Sequence, residues 1–215
     1  MNANMTQSAA AGTADQRRRG SYAGTDEKRL GILDAALKVF ARDGYRGGSL
    51  KVVAREAGMS DAGLLHHFGS KSALLAAVLE FRDTRTEAVY TPMHVDDPYM
   101  ILLGLVELAR YNVSTPGLVR LHVTLSAEAA APQHPAHGYF VQRYEYYIDG
   151  LTRAFCGCAE RGTLRPGTSP VQAAQATIAA QDGLQLLWLL HGDSIDLPGG
   201  IEAHLRRLVE FPEAD

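Results

Sequence analysis

Between Ser49 and Lys71 the chain reads SLKVVAREAGMSDAGLLHHFGSK, two short helical patterns meeting at a glycine turn too tight for an ordinary linker. Ser49 can cap the first helix by accepting from its free amides. Leu50, Val53, Ala54 and Ala57 then recur at i, i+3, i+4 and i+7, one buried stripe, while Lys51 and Arg55 lie on the other side. Gly58 supplies the left-handed conformation that stops a helix, and Ser60 can cap the next one with Asp61 favourable in its first turn. In that second helix Leu64 and Phe68 point inward, leaving Ser60, Asp61, Ala62, Leu65, His66 and His67 more exposed. Two helices joined by a turn of about three or four residues containing glycine form the helix-turn-helix, whose second helix enters the major groove of DNA.

The net charge of −3 looks wrong for a DNA binder until it is divided along the chain. Residues 1–71 carry eleven Lys/Arg against seven Asp/Glu, a net of +4, which leaves −7 for the remainder. Positive charge therefore sits beside the motif, and the acidic remainder discourages nonspecific wrapping of DNA. Residues 1–24, rich in Ala, Asn, Thr, Ser and Gly, are expected to form a flexible tail. Arg17, Arg18 and Arg19 could make it either a minor-groove arm or a solubilising cluster. The first helix is predicted to start after Thr25, with Asp26 and Glu27 at its positive end, to bury Leu33, Ala36, Leu37 and Phe40, and to end at Gly44.

Residues 29–78, with ILDAALKVFARDGY, SLKVVAREAGMS and LLHHFGSKSALL, resemble the amino-terminal domain of the TetR family of transcriptional regulators. The resemblance rests on Gly44-Tyr45, the Ala57-Gly58-Met59-Ser60 turn, the His-His-Phe run and the Ser70-Lys71 pair. It implies an all-α homodimer: a helix-turn-helix DNA-binding domain at 25–71, motif 49–68, followed at 72–215 by a larger helical ligand-binding and dimerisation domain. It also implies that Ser49, Lys51, Lys71 and His66 or His67 contact the DNA backbone, while Ser60, Asp61, Ala62 and Leu65 face base edges. Arg55 lies on the same solvent side as Lys51. Two departures from the family pattern bear on specificity. Asp61 stands where Lys, Arg or a small polar residue is common, and it could accept from a cytosine amino group. Leu65 stands where Tyr is common, so one phosphate-contacting hydroxyl is missing.

Beyond Lys71 the pattern stays helical to about Tyr90, and further helices are expected near 97–113, 116–130, 136–162, 170–191 and 198–210, three of them opened by Asp97-Pro98, Thr115-Pro116 and Ser169-Pro170. The 170–191 helix is apolar almost all round, with Asp182 its one acidic or basic residue apart from His191. It is expected to bury one side in its own domain and the other, with the 198–210 helix, against a second copy. A dimer would set two recognition helices about 34 Å apart and call for a near-palindromic operator. The stripe Phe140, Tyr144, Tyr147, Ile148, Leu151 and Phe155, together with Tyr111, His122, Gln181 and Trp188, marks either core or the wall of a pocket for a small, mainly apolar or aromatic inducer.

Other classes find little support. The chain has no phosphate-binding glycine loop, zinc-protease motif or nucleophile elbow, so neither catalysis nor a cofactor is expected. His134 and His137 have metal spacing only on a helix, and no third ligand accompanies them, so no metal is expected. Cys156 and Cys158 point to faces about 200° apart on a helix and read as packing residues. No apolar run is long enough to span a membrane and no signal-peptide core is visible, which leads to a cytoplasmic expectation. The remaining alternative is a helical small-molecule-binding protein or enzyme without specific DNA recognition.

Overall fold

The computed structural model describes residues 8–90 and 96–212, with side chains from residue 27. It is all-helical: α1 (Ser8–Gly47), α2 (Leu50–Glu56), α3 (Asp61–Phe68), α4 (Lys71–Glu87), α5 (Pro98–Ser114), α6 (Pro116–Ala129), α7 (His137–Glu160), α8 (Pro170–His191) and α9 (Leu197–Leu208). The only β pairing among the described residues is a single antiparallel bridge between Leu164 and Val209.

The first helix starts earlier than the sequence reading places it, at Ser8 rather than after Thr25. Ala9, Ala10, Ala11 and Ala14 lie in that stretch and no proline interrupts it, which favours a helix there, although Gly12, Gly20 and Gly24 work against it. The side chains of Arg17, Arg18 and Arg19 lie outside those described, as do residues 1–7. At the far end Gly44 breaks the helix with φ 69°, and one further turn runs to Gly47.

Two cores organise the chain. The first gathers Leu37 and Phe40 of α1, Val53 and Ala54 of α2, Leu64 of α3 and Leu74, Leu75 and Val78 of α4, and continues without a break into Leu118, Leu121 and Leu125 of α6. The most extensive contact between two helices is that of α1 with α6. The second core holds Leu102, Leu105, Leu151, Phe155, Ala174, Ile201 and Leu205 from α5, α7, α8 and α9. At 17 residues, α4 reaches from one to the other: Leu74 to Leu79 pack in the first core, and Arg82 and Thr86 are buried further on.

The three proline-opened helices start where expected, but only Asp97 caps with its side chain, accepting from Tyr99 and Met100. Ser169 makes no such bond, and Thr115 donates back to the Tyr111 carbonyl. The fixed φ of a first-turn proline is the feature these helix starts share.

Candidate functional site

The α2–α3 pair is built as its sequence dictates. Ser49 Oγ accepts from Val52 N at 3.2 Å and Ser60 Oγ from Gly63 N at 3.1 Å, and Gly58 takes φ 67° between them. These bonds satisfy amides that a helix start would otherwise leave open. Leu64 is fully buried and Phe68 packs on the same core. Ser49, Lys51, Arg55, Ser60, Asp61, Ala62, Leu65 and His66 are exposed, and His67 is half-buried with its ring between those of His66 and Phe68. Leu65, 43% exposed, puts an apolar side chain among polar neighbours on this face. Lys71 differs: its Nζ lies 4.7 Å over the Tyr45 ring and 3.4 Å from the Arg46 carbonyl, so it is held at the α1–α4 junction. Among the described residues Lys51 and Arg55 form no ion pair, whereas Arg42 is engaged with Asp43 and Glu56. Sequence reasoning did not single out Arg29, which lies 4.9 Å over the Phe68 ring, or the exposed Arg46. Both sit on the supporting helix rather than in the motif.

Behind this surface, the junction of α1 with the body is pinned. Glu128, on the last turn of α6, accepts from the Tyr45 amide at 2.8 Å, directly after the Gly44 break. His134 stacks edge-on against Tyr45 at 5.1 Å, with Nε2 3.4 Å from the same carboxylate. His134 Nδ1 accepts from Ala136 N, while the His137 ring bonds the Ala129 carbonyl, so this pair organises the α6–α7 connection.

A narrow interior cavity of about 30 Å³ lies between α4, α5, α6, α7 and α8. His122, Tyr144, Tyr147 and Gln181 line it, and Phe140, Tyr111 and Trp188 do not. Phe140 is buried in the first core, Tyr111 packs between the two cores, and Trp188 lines an outer groove with Arg110 and Asp193. The stripe misleads because α7, at 24 residues, is long enough to serve both cores, so one continuous face meets different partners along its length. What sequence reasoning missed is polar: Arg82, Asn112, Arg143, Asp182 and Gln185 also face the cavity. Asp182 carried a signal, being the lone carboxylate of an apolar helix, whereas Arg82 sits in a helix with many charges and gave none.

Asp182 ties three helices together, accepting from His122 Nε2 at 3.1 Å and from the Tyr144 hydroxyl at 2.5 Å. Burial pushes the Asp182 carboxyl up, but these hydrogen bonds outweigh it and hold the group below the usual carboxylate range. Burial pushes the His122 imidazole down despite the Asp182 contact, so the ring is neutral, with its proton on Nε2 and Nδ1 an unpartnered acceptor. A histidine with a depressed folded pKa binds fewer protons folded than unfolded, so its contribution is lost as pH falls below the unfolded value of about 6.5. Urea unfolding should therefore show lower stability at pH 5.5 than at 7.5, and His122→Gln should shrink that difference. Stability that is flat or rises on acidification would mean the ring is charged.

An exposed recognition helix carried by capped, glycine-joined helices, with a larger helical body and an interior polar cavity behind it, defines a helix-turn-helix DNA-binding transcriptional regulator. Residues 32–78 match the family described as bacterial regulatory proteins, tetR family. The transcriptional activator FasR of Mycolicibacterium smegmatis is 27% identical over 91% of this chain and 71% of its own length. The transcriptional regulator TtgR of Pseudomonas putida is 28% identical over 82% of this chain and 87% of its own. The solved structure of SmeT with triclosan superposes with a TM-score of 0.68, covering 86% of this chain and 92% of that one at 20% identity, a likeness of fold. Residues 32–78 are thus similar to the TetR family of bacterial regulatory proteins, and the longer matches are to transcriptional regulators. Among the described residues no helix is long and apolar enough to cross a membrane.

Proposed function

We propose that the protein is a cytoplasmic, homodimeric repressor that binds a palindromic operator and is released by a small molecule held in the cavity beneath α4. The observation that carries the reading is the exposed face of α3, where Ser60, Asp61, Ala62 and Leu65 are open to base edges beside the unpaired cations Lys51 and Arg55. Ser49, Lys51 and His66 or His67 would contact phosphates, and Lys71 would do so by leaving its seat over the Tyr45 ring. Leu65 supplies an apolar contact of the kind that reads a thymine methyl, and Asp61 an acceptor for a cytosine amino group.

Dimerisation is supported by α8. Ala176, Ala179, Gly183, Leu186, Leu187 and Leu190 recur at helical spacing and are all exposed, an apolar stripe of the kind that marks an interface. Its small residues at one end allow close approach of a two-fold partner, with Ala203 and Arg207 of α9 exposed nearby in sequence order. Release follows by linkage. α4 carries Leu74, Leu75 and Val78 in the reading-head core and Arg82 and Thr86 at the cavity, so a ligand that favours another position of α4 must lower DNA affinity by the ratio of its affinities for the two states.

The test is selection of bound duplexes from a random pool, with the wild type and with Lys51→Ala/Arg55→Ala. One two-fold palindrome is expected, and the double variant, which removes two cations from each of two protomers, should bind every sequence more weakly with a salt slope shallower by about four. Recovery of no palindrome would sink the operator reading and favour a ligand-binding protein without specific DNA recognition.

A further inference from the structure

Arg82 is a buried cation in short supply of partners. Its side chain is 8% exposed, its Nε has no hydrogen-bond partner, and the only carboxylate within ion-pair distance among the described residues is Asp83, at 3.4 Å from Nη1. That carboxylate is already in use. Asp83 also receives Arg143 Nη1 at 2.5 Å and the Tyr139 hydroxyl at 2.8 Å, so one acid serves two guanidiniums and a phenol. Asp182, across the cavity, is committed to His122 and Tyr144. His122 and Tyr144 are neutral donors, so Asp182 balances the second arginine in charge, and what Arg82 lacks is an acceptor for its fork: Nε is open and Nη1 shares Asp83 with Arg143. The strongest unmet demand of the cavity's cations is therefore for a planar acceptor such as a carboxylate.

The position of Asp83 shows how such an anion would arrive. On the outer side of the Asp83–Arg143–Tyr139 bridge a crevice of about 450 Å³ opens between α4 and α7, and Arg143 and Tyr147 line both this crevice and the interior cavity. The bridge is thus the partition between outside and inside. Once past it, a ligand meets three open acceptors, His122 Nδ1, Gln181 Oε1 and Gln185 Oε1. At about 30 Å³ the resting cavity has room for a water or two, so a larger guest enters only as α4 and α7 separate.

We propose that the effector is a small organic acid bearing a hydroxyl or amino donor, whose carboxylate replaces Asp83 at Arg82 and Arg143 while its donor meets His122, Gln181 or Gln185. This deepens the reading of the cavity as the effector site and rests on it. Displacing Asp83 breaks the α4–α7 bridge, so the recognition event and the release of α4 are one exchange of carboxylates. Asp83 is a built-in competitor, holding the arginines when no acid is present.

The test is a matched panel of salicylate, mandelate, 3-hydroxybutyrate and phenylalanine with their primary amides, read by thermal melting of the full chain and by release of the selected duplex. Melting needs no DNA, so it separates failure of this proposal from failure of the operator reading. At least one acid should raise the melting temperature and release the duplex, with its amide at least tenfold weaker. Arg82→Met and Arg82→Lys should each lose tenfold or more in affinity for that acid, the lysine because it lacks the planar fork. Asp83→Asn should bind it several-fold more tightly, since the competitor is gone. Circular dichroism identifies any variant that has merely unfolded, and the comparison of acid with amide on the wild type stands without the variants. Binding of the amides in preference to the acids overturns the proposal and leaves the cavity as an effector site. If no acid binds, the proposal is overturned and Arg82 is a structural brace, while duplex selection independently decides the operator reading.

Discussion

Leu186→Glu combined with Leu190→Glu should leave the protein folded but monomeric, with affinity for its palindrome reduced by about 10³-fold or more. Both residues are exposed, at 45% and 68%, so neither substitution opens a hole or buries a charge in the single chain. On the proposed α8 interface their effect falls on the association of copies, where two carboxylates on each side of a two-fold axis would meet each other without water to screen them. Loss of the second half-site contact removes the symmetry-doubled part of specific binding and leaves a phosphate-driven remainder. Sedimentation and a binding isotherm on the selected duplex would measure the two consequences together. A dimer that survives with both glutamates would place the interface elsewhere than on α8.

Gly44→Ala should destabilise the protein by about 2–6 kcal/mol, a larger effect than its one methyl group suggests. Two costs add. A non-glycine residue at φ 69°, ψ −179° occupies backbone open essentially only to glycine and pays about 1–3 kcal/mol. The new Cβ also meets the Glu128 carboxylate, which must move and give up the Tyr45 amide, leaving a partly buried donor open at a further cost of about 1–3 kcal/mol. For a chain of this size the melting temperature should fall by roughly 4–24 °C. A double-mutant cycle with Glu128→Ala separates the parts: without the carboxylate, the alanine should cost only the backbone share. Full additivity would show that the two positions are uncoupled and that Glu128 does not hold the break.

The contrast between these sites explains what was legible in the sequence. The helix-turn-helix could be read because its determinants are local: Ser49, Gly58 and Ser60 act on amides within three residues of themselves, and Leu64 and Phe68 follow the helical period. Helix starts at Pro98, Pro116 and Pro170 were legible for the same reason. The cavity was not. Its chemistry depends on Arg143 meeting Asp83 and on Asp182 meeting His122, partners 60 residues apart that periodicity does not connect. Aromatic residues on α7 drew attention because they repeat, yet Phe140 serves the reading-head core, and the groups that face the empty space are buried polar ones. At the other end of the chain α1 extends back to Ser8, ahead of the start after Thr25 that Asp26 and Glu27 suggest.

Leu118, Leu121 and Leu125 of α6 share a core with Leu37 and Phe40 of α1, so the reading head is not a cartridge that can be unplugged. A chimera spliced after residue 71 would divide that core between two parents and join leucine surfaces that had never been fitted to each other. On the proposed reading of α3, rewriting operator preference while keeping this body means changing the solvent-facing side chains of α3 alone, with α1 and α6 inherited as a matched pair.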